Sequence, residues 1–331
     1  MKRIVILSLI STFCILISPV GIMFNGSEND GDKAQSVQYE INPEKYKNAV
    51  TGDIVRVFNA DTKSVTELDF RDYIIGVVAG EMPVEFHEEA LSACAVAAAT
   101  LTRKKMSTPD DSLNGADIST DPAKHQAYMS LSEMKERWGE SFDMYYEKLC
   151  AAVDKSIGYS VVYDGELITA VYHSVSTGIT EDAENVWMGK IPYLISVNSD
   201  GDRFSPRYAS ELFVKSEEFK SRISEAGDAE WSEGEPLISD ASYTAAGRIK
   251  SITAGGVTFN GEEFRKLFSL RSAAVTYSFS QEGVLLKVKG YGHGVGLSQY
   301  GADYYARQGK TWQEIIKHYY TGVEIVPVTK G

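Results

Sequence analysis

Apolar and polar positions alternate along DIVRVF (53–58) and SVTELDF (64–70), and the turn-rich NADTK (59–63) lies between them. The pattern predicts two strands joined by a tight turn. DFRDYIIGVVAG (69–80) then switches to a helical period, with Asp69 placed to cap it. A second helix is predicted over 85–106. Its N-terminal turns carry Glu85, Glu88 and Glu89, and its end carries Arg103, Lys104 and Lys105. Both charge sets oppose the helix dipole. From Ala90 to Ala99 this helix is small and apolar nearly all round, so it should be buried on every side. Glu81 falls in the link between these two apolar helices.

Further along, 107–122 reads as loop and 135–158 as one helix. SVVYDGELITAVYHS (160–174) reads as a hairpin turning at Asp164-Gly165. Residues 200–245 are polar and acidic, and their pattern predicts a peripheral segment with short helical stretches. A helix is expected near GEEFRKLF (261–268). The last helix starts at a capping box, Thr311 to Glu314, and stops at Gly322. Helices and strands mix without a βαβ rhythm. The expected class is α+β, with helices and short antiparallel strands around a central cleft.

The N-terminus changes the picture. Lys2 and Arg3 precede an uncharged run from Ile4 to Phe24, long enough for a bilayer crossing of about 20 apolar residues. No clean small-x-small cleavage site closes it. Residues 1–24 therefore read as an uncleaved signal-anchor, the alternative being a cleaved signal peptide. Residues 25–50 read as a flexible spacer, and 51–331 as one extracytoplasmic body with room for two subdomains. The expected location is the cytoplasmic membrane, single-pass, with the body outside. The net charge of −13 argues against nucleic acid as a partner. Cys94 and Cys150, in apolar helical settings, read as two small buried thiols.

Candidate chemistry concentrates in three places. Glu81 would lose solvation between apolar helices, which favours its neutral form and suits a general acid. His173, in VYHSVSTG, stands at a strand end before a Ser/Thr/Gly loop, where cleft residues and satisfied core histidines both occur. YGHGVGLSQYGA (291–302) joins a strand-like run to a helix-like one. Its glycines miss the G-x-G-x-x-G spacing, because Leu297 or Val295 stands where the third glycine is needed, and no Gly-Lys-Ser/Thr follows. Two readings of this loop stay open: a corner that tolerates only glycine, and a backbone surface for a polyhydroxylated ligand. The many tyrosines, with a cluster at Tyr300, Tyr304, Tyr305, Tyr319 and Tyr320, suit either sugar stacking or core. No G-x-S-x-G occurs to support a serine triad.

Taken together, GVVAGEMP (76–83), ALSACAVAAAT (90–100), HQAY (125–128), AVYHSVSTG (170–178), ENVWMG (184–189), PYLISV (192–197) and GHGVGLSQYGA (292–302) resemble the stage II sporulation protein D family, in family order. The resemblance implies a peptidoglycan lytic transglycosylase acting in engulfment on glycan strands already stripped of stem peptides. Glu81 stands at the family's catalytic acid. The family also includes enhancers of cell-wall amidases, so a non-catalytic glycan-binding activator is the alternative. The implied partners are peptidoglycan strands, a cell-wall amidase and, through the anchor, the membrane. On this reading Gln126, Tyr128, His173, Ser174, Ser176, His293, Gln299 and Tyr300 line the substrate site. Some members carry zinc on Cys-x5-Cys with an adjoining His. Here Ser119, Lys124 and His125 fill those places, and serine and lysine are poor ligands, so neither metal nor other cofactor is expected. Cys94 and Ala99 replace the family's Gln and Arg on the apolar helix.

Overall fold

In the computed structural model, β1 (Ile54–Phe58) and β2 (Val65–Asp69) pair antiparallel, with Val57 opposite Thr66. Asn59 folds the turn by accepting the main-chain N–H groups of Asp61 and Thr62, both at 2.9 Å. The structure describes residues 53–328 except 109, 122–124 and 188. The expected anchor over 1–24, the spacer over 25–50 and Lys124 lie outside the described residues.

Asp69 caps α1 (Phe70–Glu81), its carboxylate accepting from the N–H groups of Arg71 and Asp72. The helix stops at Glu81 because Met82 is extended and Pro83 follows, and a residue before proline is driven out of helical conformation. Helix α2 (Glu88–Ser107) begins later than expected, because the His87 side chain caps it and leaves Glu85 outside. Its residues Ala90–Thr102 are buried on every face, as the run of small side chains predicts.

A short strand, β3 (Ile118–Ser119), joins β1 in parallel. The single helix expected over 135–158 is two, α3 (Leu131–Trp138) and α4 (Phe142–Ser156). They are divided at Gly139, whose φ of 49° no helix continues. Arg71 on α1 grips Asp154 on α4 with two nitrogens, at 2.6 and 2.9 Å. Strands β4 (Tyr159–Tyr163) and β5 (Glu166–Leu167) form the expected hairpin, with Asp164 and Gly165 both at positive φ. The hairpin ends at Leu167, however. Tyr172 and His173 form a separate strand, β6 (Tyr172–His173).

After α5 (Ala183–Val186), the chain from 200 to 289 builds a second apolar core. Its parts are β7 (Ala209–Lys215), α6 (Ser216–Ala226), β8 (Asp240–Tyr243), β9 (Ile249–Ala254), β10 (Val257–Phe259), α7 (Gly261–Leu267), β11 (Ala274–Phe279) and β12 (Gly283–Lys289). They form two antiparallel sheets, ordered β11-β12-β7 and β10-β9-β8. Val214, Phe219 and Ile223 are fully inside, so this polar stretch is not peripheral. Val214, Phe219, Ile223 and Ile238 enter the core from among charged residues, so the overall polarity of this stretch concealed them.

The chain then returns to the first core through β13 (Leu297–Ser298), α8 (Gln299–Arg307), α9 (Trp312–Tyr319) and β14 (Glu324–Pro327). The capping box at Thr311 and Glu314 is formed. Strand β14 pairs antiparallel with β4, and β13 pairs parallel with β6, Leu297 opposite Tyr172. That two-residue ladder sets the site, because it lays the start of α8 beside the end of α1. The class is α+β. Cys94 and Cys150 are buried and unpaired.

Candidate functional site

Glu81 is the last residue of α1, half-buried against the first core. One carboxylate oxygen accepts the main-chain N–H of Ala127 at 2.7 Å, and the other accepts the Gln299 side-chain amide at 3.3 Å. Burial pushes the carboxyl above the usual carboxylate range, and the two donors pull it part of the way back. The negative end of the helix dipole works in the same direction as burial. The arrangement holds a carboxyl in one orientation while favouring its protonated form.

Ala127 reaches Glu81 because residues 127–129 lie in a notch on α1. At Gly76 a Cβ would come within 2.3 Å of the Tyr128 ring, and the Gly76 carbonyl accepts the Met129 N–H at 3.0 Å. Tyr128 in turn stacks on Tyr73, centroids 5.6 Å apart. Beside this contact opens a cleft of about 510 Å³, bordered by Gly80, Ala127, Tyr128 and Met129 on one side and by α3 on the other.

The remaining predicted residues do not line this cleft. Gln126 is fully buried, donates to the Thr102 hydroxyl at 3.0 Å and accepts from the Tyr172 hydroxyl at 2.8 Å. Gln299 is buried, and its amide is turned to Glu81. Tyr300 sets its ring edge-on to Phe86 at 4.8 Å, and its N–H is held by the Ser174 carbonyl. Ser176 is buried, and both its N–H and its hydroxyl donate to Asp202.

Both histidines are tied to main chain. His293 accepts the Val295 N–H on Nδ1, so its proton sits on Nε2, which donates to the Tyr172 carbonyl at 3.0 Å. His173 faces the Val295 carbonyl with Nδ1 at 3.1 Å, which makes that nitrogen the protonated one. Its Nε2 is buried without a hydrogen-bond partner among the described residues. Burial and the nearby Arg248 cation hold both rings neutral, with His293 pushed down to about 3. Trp187 covers His293, ring centroids 5.0 Å apart.

The glycine loop is used up by its own chain. Gly290, Gly292, Gly294 and Gly296 all have positive φ, and an added Cβ at Gly294 would lie 2.4 Å from the Arg248 guanidinium. At Gly296 the same atom would lie 2.2 Å from the Val171 carbonyl oxygen, which already accepts from Leu297 N–H and the Tyr320 hydroxyl. The geometry favours the close-packed corner over a ligand cradle. Gly296→Ala is expected to lower stability by about 2–4 kcal/mol, combining left-handed strain with overpacking. A thermal melt unchanged from the parent's would contradict this.

Three features escaped the sequence. One is the Ala127 N–H, a main-chain group that no residue type announces, although the Gly76/Gly80 pair one helical turn apart was a signal for close approach. Arg248 is buried against the loop and donates to the Gly292 carbonyl at 3.1 Å. Asp202 is fully buried within what reads as an acidic surface run. Its carboxylate joins Ser176 to Ser298, the cap of α8.

Residues 59–163 match the family model described as stage II sporulation protein. The chain is 35% identical over 272 residues to stage II sporulation protein D of Bacillus amyloliquefaciens, covering 82% of this chain and 78% of that protein. It is 34% identical over the same length to the protein of that name from Bacillus subtilis (strain 168). An amidase enhancer of Bacillus subtilis (strain 168) is 25% identical over 303 residues, 76% of this chain and 40% of that protein. With 35% identity extending over 82% of its length, this protein belongs to the stage II sporulation protein D family.

Proposed function

We propose that this protein is a lytic transglycosylase of peptidoglycan acting in sporulation, with Glu81 as its acid and base. The body would stand outside the cytoplasmic membrane, held by residues 1–24, and would work in engulfment beside a cell-wall amidase. The observation that carries the reading is one carboxyl, held by two donors and raised by burial, whose neighbour Gly80 and partner Ala127 border a cleft. The names of the relatives support the sporulation role.

Glu81 would give its proton to the glycosidic oxygen between N-acetylmuramic acid and N-acetylglucosamine as the C1–O4 bond breaks. The resulting carboxylate would take the proton of the C6 hydroxyl while that oxygen closes on C1. A 1,6-anhydro ring forms, no water is consumed, and Glu81 ends protonated as it began. One residue serves both halves, whereas hydrolytic glycosidases use two carboxyls. The amide of Gln299 can attend both states, donating to the carboxylate or, rotated, accepting from the acid.

The test is mass spectrometry of peptide-free strands after incubation with the protein. Anhydro ends, lighter by one water than hydrolysed ends, are the expected product. Intact strands that remain bound would favour the second reading, a non-catalytic activator of an amidase, which the similarity to an amidase enhancer supports.

The pH profile gives an independent check. Because the acid form is required and burial raises Glu81, cleavage should persist above the usual carboxylate range and fall as pH rises through the raised value. Gln299→Met removes a donor that lowers it, so the alkaline limb should move to higher pH. A limb that stays put, or moves down, would detach Gln299 from this role.

A further inference from the structure

The second core leaves two sheet edges open, and their chemistry differs. In the sheet ordered β11-β12-β7, the edges are β11 and β7. The inward face carries Val214, Val284, Leu286 and Val288, all buried in the second core. The outward face of β11 is polar, with Thr276 and Ser278 exposed. On β7 the outward face carries Phe213, 46% exposed, opposite the half-buried Leu285. Glu211 and Lys215 flank Phe213 on the same face, both exposed.

Two hydrogen bonds fix how β7 is turned. At one end of its ladder the Gly290 N–H donates to the Tyr208 carbonyl at 2.7 Å, and at the other the Ser216 N–H donates to the Glu282 carbonyl at 3.0 Å. Both pairs extend the register that sets Phe213 opposite Leu285. Antiparallel ladders bond through alternate residues, so Ser210, Leu212 and Val214 turn their main-chain groups to β12. Glu211 and Phe213 turn theirs outward, and no hydrogen bond takes those groups among the described residues. The Glu211 carboxylate has a loose, exposed ion pair with Lys287 at 3.5 Å, and Lys215 has none among the described residues. An open edge of this kind is a template for another strand.

We propose that β7 is the contact through which two copies of this chain associate, edge to edge and antiparallel, about a two-fold axis at Phe213. Of the registers that the outward groups allow, the one centred at Phe213 sets Glu211 opposite Lys215 on both sides of the axis. Centring on Glu211 or on Lys215 sets like charges face to face. In the Phe213 register the two phenyl rings meet between the two Leu285 side chains, and both lose solvent. Two three-stranded sheets become one continuous sheet. The contact is the same patch on both copies, so the assembly closes at a dimer. It involves neither Glu81 nor its donors and stands apart from the proposed reaction.

Sedimentation of the full-length protein in detergent micelles should show a reversible dimer. Glu211→Lys and Lys215→Glu should each weaken it about tenfold, by turning attractive pairs into repulsive ones. The double exchange should restore it to within about threefold, because the pairs re-form with their signs reversed. Glu211 gives up only an exposed partner, so the fold should tolerate these changes, and thermal melts check that it does. Phe213→Cys in a chain that also carries Cys14→Ser supplies a second readout. Residues opposed in a hydrogen-bonded antiparallel pair have Cα atoms about 5.5 Å apart, within disulfide range. Cys94 and Cys150 are buried, so mild oxidation should link two chains at position 213 alone. A monomer at every concentration, a double exchange that fails to restore the dimer, or an oxidised variant that stays unlinked would each overturn the proposal. So would a Phe213→Cys thiol that a maleimide cannot reach in the monomer, which would mean that residues 25–50 of the same chain cover the edge.

Discussion

Glu81→Gln is expected to reduce strand cleavage by about 10²- to 10⁴-fold while leaving glycan binding intact. The amide keeps the size of the carboxyl and can still accept the Ala127 N–H, which approaches to 2.7 Å in the parent. It cannot release a proton to a leaving oxygen. The fold should not suffer. Burial raises the Glu81 carboxyl, so the folded state holds a proton more tightly than the unfolded chain. Stability from this group is present at low pH and is lost as pH rises from the ordinary carboxylate range through the raised one. Glutamine carries no such penalty, so the variant should melt at or above the parent's temperature at neutral pH. Release of anhydro ends in single-turnover reactions, with a melt and a binding isotherm alongside, separates these effects. Cleavage within tenfold of the parent's would remove Glu81 from the role of acid.

Asp202→Ala should produce the largest loss of stability, about 3–5 kcal/mol. One oxygen of this fully buried carboxylate accepts the Ser176 N–H at 2.9 Å and the Ser176 hydroxyl, and the other accepts the Ser298 hydroxyl at 2.5 Å. Alanine would leave these buried donors without their acceptor. Ser298 also caps α8, accepting from Gly301, so the loss reaches the residue that follows it, Gln299. Asp202→Asn keeps the volume and one acceptor and should cost less, about 1–3 kcal/mol. Urea unfolding checks both. A lowered midpoint at unchanged slope is the expected form. An alanine variant within about 1 kcal/mol of the parent would show that the hub carries little of the fold.

Local signals in the sequence were read where the physics is local. The Asp69 cap, the Asp164-Gly165 turn and the Thr311–Glu314 box depend on neighbours a few residues apart, and each is formed. The all-round burial of α2 followed from side-chain size alone. What could not be read is set by distant pairing. The parallel ladder of Tyr172–His173 with Leu297–Ser298 is two residues long and has no periodicity to detect. His293, Gln299 and Gln126 are polar residues in a motif, and the same residue types serve a ligand or the protein's own backbone equally well. Here their polar atoms are engaged inside the protein. Asp202 looked solvated because its neighbours are charged, and only the approach of Ser176 and Ser298 makes its burial affordable.

The Gln299 contact also dictates when the site can exist. Glu81 and Gln299 are 218 residues apart in the chain. At a synthesis rate of about 5–20 residues per second, the second donor emerges roughly 10–40 s after the carboxyl it holds. The parallel ladder that brings it in is a contact of very long range, the kind that forms late in folding. Glu81 is thus made early and fully held only at the end. A nascent or truncated chain that stops before the glycine loop carries the acid without its holder, so timing is built into the order of the chain.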